Sequence, residues 1–290
     1  MKKIVILIPV YNDWESLLAL LKDINSEIQK INDCKFSCLI VNDASTVKAP
    51  NLFKPINLEN LTLINMKRNT GHQRCIAFGL RYINLKKNYD RVIVMDGDGE
   101  DRPAEIVKLI EKADQNTNLS VVAKRVKRSE GPLFQNLYKL HKFITLIFTG
   151  KKINFGNYSC LTKKDVSILI DKGSLWSNIS GSVKKHISNF SEIGSVRGLR
   201  YFGPSKMSIF KLAVHSFSII AVFKYIVFLR STFFLIFLMF LTKYLGSAVI
   251  FLQILLILFN LLIFLASLKE NKKALINSHE NVLTKHNITQ

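Results

Sequence analysis

The sequence predicts an α/β domain built on a mainly parallel sheet, followed by two helices able to cross a bilayer. Three observations lead there. Short runs rich in Val, Ile and Leu recur through residues 1–125 with helix-length segments between them, "MDGDGED" closes one such run, and residues 245–268 carry no charged side chain. At 48% hydrophobic content over 290 residues the chain can bury a sizeable core and is not a disordered polymer.

"KIVILIPV" opens the series. Polar "YNDWE" follows its apolar residues Ile4 to Val10 at once and no small-residue cleavage site appears, so it reads as a buried strand rather than a secretory leader. Trp14, Leu17, Leu18, Leu21 and Ile24 then recur at helical spacing. "FSCLIVND", "LTLINM", "RVIVMDGD" and "LSVVAKR" continue the strand series. Their richness in Val, Ile and Leu is that of strands covered on both faces, which is the mark of parallel sheets. Cys34, Cys38, Cys75 and Cys160 form no CxxC pair, so neither zinc nor a disulfide framework is expected and the thiols are read as reduced.

Basic and apolar segments come next. From Lys124 to Lys152 eight Lys or Arg residues face one acid, Glu130, and Leu133, Leu137, Leu140, Ile144 and Ile147 share helical spacing. Such a helix either joins the core or lies on an anionic leaflet, and its charge favours the leaflet. "RGLRYFGPSKMSIFKL" sets Arg197, Arg200, Lys206 and Lys211 just before the apolar run Tyr225–Thr242, which holds Arg230 near its start, where a long side chain can snorkel. Lys243 to Gly246 read as a turn and Leu245–Leu268 as a second span, with a buried soluble helix the other reading. The expected division is 1–205 catalytic, 206–224 juxtamembrane and amphipathic, 225–268 transmembrane hairpin, and 269–290 polar tail. Lys269, Lys272 and Lys273 place that tail, with the basic body, in the cytoplasm by the positive-inside rule. The net charge of +20 clusters beside the membrane segments with no nucleic-acid motif, so no nucleic-acid partner is expected.

In an open α/β sheet ligands bind beyond the carboxyl ends of the strands. "VNDAS" and "MDGDGED" both stand there. Asp96, Asp98 and Glu100 alternate with glycines, which lets the backbone bend so that carboxylate oxygens converge on a hard cation. An ion held that loosely also needs substrate phosphates.

The order "IPVYND", "VNDAS", "RNTGHQRCIAFGL", "MDGDGEDRP", "VVAKRVKR" and "RGLRYFGPSKM" ahead of apolar spans resembles family 2 glycosyltransferases of GT-A fold, with a Rossmann-like sheet. Over residues 1–268 it is similar to the membrane-anchored group of dolichyl-phosphate mannose synthase and bacterial polyprenyl-phosphate glycosyltransferases. The resemblance implies that Pro9, Tyr11, Asp13 and Asp43 line the donor nucleotide, with Gly71 and Gly79 in the next motif. Asp96 and Asp98 match the DxD pair, Asp96 also facing the donor and Asp98 leading the metal site with Glu100 beside it. Arg125 and Arg128 match a basic pair near the phosphates. Gly203, Ser205 and Lys206 match the family's juxtamembrane motif, and the charges of Arg197, Arg200, Lys206 and Lys211 there suit a grip on an acceptor lipid phosphate, with Arg200, Ser205 and Lys206 the expected acceptor residues. Asn42 departs from the usual acidic pair, and Cys75 stands where alanine is usual.

Asn157 in "FGNYS" stands where many relatives carry an aspartate near the acceptor. Between Glu130 and Glu270 only Asp165, Asp171 and Glu192 are acidic, and none lies in a motif of an acceptor-side base. A hydroxyl acceptor needs such a base, whereas a phosphate monoester, with a second pKa of about 6, is already a nucleophile. The expectation is therefore inverting transfer from a nucleotide-diphosphate sugar to polyprenyl phosphate or another lipid acceptor, dependent on Mg2+ or Mn2+. The setting expected is the cytoplasmic (inner) membrane, multi-pass, with the catalytic domain in the cytoplasm. No QxxRW motif is present, which argues for single addition. A hydroxyl acceptor, a silent sugar-nucleotide sensor and homo-oligomerisation stay open.

Overall fold

The structure is a computed structural model that describes residues 1–127, 132–204 and 208–289. The chain runs β1 (Lys2–Val10), α1 (Trp14–Ile28), β2 (Cys34–Asn42), β3 (Leu58–Met66), α2 (His72–Lys86), β4 (Arg91–Val94), α3 (Glu105–Gln115) and β5 (Ser120–Lys127). It continues through α4 (Pro132–Thr149), β6 (Phe155–Thr162), α5 (Lys163–Leu169), α6 (Ile179–His186), β7 (Phe190–Val196), α7 (Ile209–Ala221), α8 (Lys224–Leu245), α9 (Ser247–Ser267), α10 (Lys272–Ile276) and β8 (Val282–Ile288).

One sheet of order β7-β5-β6-β4-β1-β2-β3-β8 organises the fold. The centre β4-β1-β2-β3 is parallel, as the apolar runs require, while β6 and β8 run antiparallel to their neighbours. Alternate side chains of β1 feed two cores. Ile4, Ile6 and Ile8 meet α1 and α3 on one face, and Leu7 meets α2 on the other. After β3 the chain crosses back to β4 on the far side of β1. This reversal opens a crevice beyond the carboxyl ends of β1 and β4. Gly79 lets α2 close on β1, since any Cβ there would enter the Leu7 side chain.

The segment 269–290 corrects the sequence expectation of a free polar tail. Val282–Ile288 pairs antiparallel with Leu61–Met66 and completes the sheet edge. Its side chains are mostly polar, so no apolar alternation announces it, and only Val282 and Ile288 pack on the cores. The catalytic sheet is thus not confined to residues 1–205.

The helices α8 and α9 are long and apolar enough to cross a membrane, with mean hydropathies of 2.0 and 2.9 in their best windows and few residues buried. Their turn is Gly246 alone, at φ +64°, because helix α8 continues through Lys243 to Leu245. Arg230 does not stand free near the start of its helix. Its Nη1 donates to the Ile147 carbonyl at 2.6 Å, capping the end of α4. Phe148 of α4 stacks on Phe259 of α9 with ring centroids 4.5 Å apart and meets Phe234 of α8. Helix α4 therefore buries one face on the hairpin and leaves Leu140, Phe143 and Leu146 exposed.

Candidate active site

The loop Asp96–Asp101 leaves β4 and turns back under the end of β1. Gly97 makes the approach possible, for a Cβ there would lie 3.0 Å from the Pro9 carbonyl oxygen. Asp101, 6% exposed, accepts the Asp96 N–H at 2.9 Å and holds the loop closed. Burial and the neighbouring Asp96 push the Asp101 carboxyl up to about 8.

Asp96 faces α2 and β6. His72 Nε2 lies 3.0 Å from its Oδ1, and Asn157 Nδ2 donates to the same oxygen at 3.1 Å. Burial works against the carboxylate, but the His72 charge and hydrogen bond, then Asn157 and Arg125, hold Asp96 well below the usual range. Reciprocally, burial lowers the His72 pKa while Asp96 raises it further, so the net shift is upward. Gln73 Nε2 donates to Asn157 Oδ1 at 3.0 Å, and Gln73 Oε1 accepts the Ile179 N–H at 2.9 Å. Arg125 lies along Gly156, where a Cβ would stand 2.9 Å from its Nη2.

Asp98 faces the other way. Arg200 bridges two strand ends, with Nη1 donating to Asp98 Oδ2 at 2.6 Å and Nη2 to Asp13 Oδ2. Burial and Asp96 raise the Asp98 pKa to about 6 against the lowering by Arg200 and Arg197. Glu100 pairs with Arg197. The segment Arg197–Tyr201 lies across the carboxylate loop as a strap, its Gly198 N–H donating to the Glu100 carbonyl at 2.8 Å and its Tyr201 N–H to the Asp98 carbonyl at 3.1 Å. Contact this close requires glycine on both sides. A Cβ at Gly198 would lie 2.7 Å from the Gly99 carbonyl oxygen, and one at Gly99 would enter the Tyr201 ring.

At the β2 end, Asp43 is 3% exposed and its carboxylate accepts the N–H groups of Thr70 at 2.7 Å and Gly71 at 2.8 Å. It shapes the entry to α2, where Gly71 has φ +99°. Tyr11 is 42% exposed at the rim beside Asp13.

The structure thus brings Pro9, Asp13, Asp96, Asp98, Glu100, Arg125, Asn157 and Arg200 to one crevice. Arg200, expected at the acceptor phosphate, pairs here with the carboxylates of Asp13 and Asp98. Arg128, Ser205 and Lys206 lie outside the described residues. Gln73 and Asp101 were not singled out by sequence. His72, at no metal-ligand spacing, reads from sequence as a surface or packing residue but lies on Asp96, and Arg197, read with the basic group facing a lipid phosphate, pairs with Glu100. His72 follows the glycine of its motif at the first position of a helix, and that position is the signal that marks it.

A divalent ion fits this donor set as a shared seat. Among the described residues no three His, Cys, Asp or Glu side chains gather to hold an ion alone. One or two hard carboxylates completed by substrate phosphates are the usual arrangement for Mg2+, and Asp98, already facing a guanidinium, is suited to a cation.

A mixed sheet with carboxylates at its switch point and a basic strap over them is a Rossmann-like α/β fold with its ligand crevice at the carboxyl ends of the strands. The chain belongs to glycosyl transferase family 2, whose family model matches residues 5–177. It is similar to the undecaprenyl-phosphate 4-deoxy-4-formamido-L-arabinose transferase of Photorhabdus laumondii, at 25% identity over 73% of this chain and 65% of the relative. The enzyme of the same description from Salmonella choleraesuis is 26% identical over 59% of this chain and 50% of its own. The chain thus spans between half and two thirds of the length of these relatives. The crystal structure of glucosyl-3-phosphoglycerate synthase from Mycobacterium tuberculosis, in complex with Mn2+, UDP-glucose and phosphoglyceric acid, shares the fold with a TM-score of 0.50, 11% identity, and coverage of 78% of this chain and 80% of that one.

Proposed function

We propose that the chain transfers a sugar, with inversion, from a nucleotide-diphosphate sugar to polyprenyl phosphate at the cytoplasmic face of the inner membrane. The observation that carries the reading is the crevice: the carboxylates beyond β1 and β4 meet Arg200 and Asn157 in a sheet whose chain continues into two bilayer-length apolar helices. The family membership and the relatives named for undecaprenyl phosphate support the same acceptor class.

Asp98, with Asp96 behind it, would hold Mg2+ or Mn2+, which supplies charge neutralisation at the leaving diphosphate. Glu100 joins that set only on leaving Arg197. Pro9, Tyr11 and Asp13 border the nucleotide, while Asp43 and Gly71 keep the neighbouring loop in shape. An acceptor phosphate oxygen attacks the anomeric carbon, the anomeric C–O bond to the diphosphate breaks, and nucleoside diphosphate departs. No proton has to leave a phosphate nucleophile at neutral pH, which suits an amide rather than a carboxylate at Asn157. Arg125 offers the acceptor a fixed positive charge, and Arg128, Ser205 and Lys206 are the further acceptor-side residues of this reading. The division into a catalytic sheet, juxtamembrane α7 and hairpin stays part of this reading, with Val282–Ile288 counted with the sheet.

The test is Asp98→Ala in detergent-solubilised full-length chain. Transfer and its sensitivity to a chelator should vanish together while the thermal midpoint stays near that of the parent. Normal turnover by the variant, or a parent indifferent to chelator, contradicts the reading.

A further inference from the structure

The strand that follows the hairpin is joined to the nucleotide end of the crevice by a chain of side-chain hydrogen bonds. Asn65 Nδ2 donates to Thr284 Oγ1 at 2.8 Å, and Asn42 Nδ2 donates to Asn65 Oδ1 at 2.8 Å. The Ser45 N–H donates to Asn42 Oδ1 at 3.0 Å. Ser45 Oγ accepts the Asn12 N–H at 2.8 Å, and Asn12 Oδ1 accepts those of Thr46 at 2.8 Å and Val47 at 3.0 Å. The Ser45 N–H is a backbone group that can only donate, so it sets the orientation of both amides along the chain.

The two loops at the far end of this chain need such support. Asn12 and Ala44 have φ of +49° and +56°, in the left-handed region that non-glycine residues adopt at a cost and keep only where neighbours impose it. Asn12 lies between Tyr11 and Asp13.

We propose that β8 braces the nucleotide subsite from the sheet edge, with Thr284, Asn65 and Asn42 as positioning residues that hold the Tyr11–Asp13 and Asn42–Thr46 loops in their donor-binding shape. The inference rests on the reading of this crevice as a nucleotide-sugar site. It gives Asn42 a reason to be an amide rather than an acid, since a carboxylate would accept from Ser45 but could not donate to Asn65.

The experiment is calorimetric titration of the detergent-solubilised full chain with UDP, GDP and dTDP, comparing the parent with Thr284→Val, Thr284→Ser, Asn65→Ala and Asn287→Ala. Asn287 is the control. It accepts from Thr62 Oγ1 at 3.3 Å on the same strand pair, away from the loops. For the nucleotide the parent binds, Thr284→Val should weaken affinity about threefold and Asn65→Ala about tenfold, the scale of one and of two lost neutral hydrogen bonds. Thr284→Ser should bind as the parent does, and Asn287→Ala should lower the thermal midpoint as much as Thr284→Val yet leave the affinity unchanged. Parent-like affinity in both Thr284→Val and Asn65→Ala overturns the inference and leaves the donor reading standing. A parent that binds none of the three nucleotides removes the donor reading itself, and the inference with it.

Discussion

Replacing Arg200 with alanine should make the site a stronger cation binder, not a weaker acceptor binder. In the donor-free protein the guanidinium joins Asp13 to Asp98, and a metal ion approaching Asp98 must displace it. Each such charge-assisted contact is worth about 1.5–3 kcal/mol when enclosed. The side chains here keep 12–20% exposure, so the two contacts together are assigned no more than one enclosed contact. Losing them should tighten Mn2+ binding about tenfold to a hundredfold. The assay is free-Mn2+ electron paramagnetic resonance on detergent-solubilised chain at about pH 8 and about pH 9, because Asp98, at about 6 in the parent, rises once the lowering charge of Arg200 is gone and protons then compete for longer. The apparent KM for polyprenyl phosphate should stay within about twofold of the parent, because the Arg200 contacts face away from Asn157. Unchanged Mn2+ affinity with a raised acceptor KM would refute the reasoning and return Arg200 to the acceptor phosphate.

Two further outcomes follow from the same geometry. Asp101 has a folded-state pKa raised to about 8, against about 3.9 for an unfolded aspartate, so its contribution to stability is full at low pH and is lost as pH rises through about 8. Asp101→Asn, which can still accept the Asp96 N–H, should flatten that decline and show the higher thermal midpoint at about pH 9, and a decline of parental size in the variant would show that Asp101 is not its source. Asn157→Asp would set a second carboxylate where Nδ2 now donates to Asp96 at 3.1 Å, and like charges at that distance repel. Transfer should fall by more than about tenfold, the effect of roughly 1.4 kcal/mol on the barrier, and an increase in rate would instead identify position 157 as the seat of a base.

The central strands were legible because each is a continuous apolar run, and a strand buried on both faces can hardly be otherwise. Strands β6, β7 and β8 escaped notice for the opposite reason. Asn157 and Ser159 interrupt β6, and β7 and β8 are edge strands with much of their surface exposed. The carboxylates of the loop after β4 were legible as acids alternating with glycine. Their partners were not, since Arg200 meets Asp13 across 187 residues of sequence, and only the reversal of strand order at β1 and the close pass of Gly198 over Gly99 bring them together. Asn42 read as a departure from the usual acid. Its role emerged only with β8 in place, because its partner Asn65 is held from a strand that a polar tail did not announce.

The central claim is the acceptor, and product chemistry tests it most directly. Full-length chain in bacterial membranes would be given radiolabelled UDP-, GDP- and dTDP-sugars with added polyprenyl phosphate, and the lipid-soluble product exposed to mild acid. The account predicts label in the lipid phase that requires a divalent ion and is released by mild acid, as a glycosyl phosphodiester is. An acid-stable glycoside, or label that ignores polyprenyl phosphate and enters a hydroxyl-bearing lipid or glycan, would contradict it.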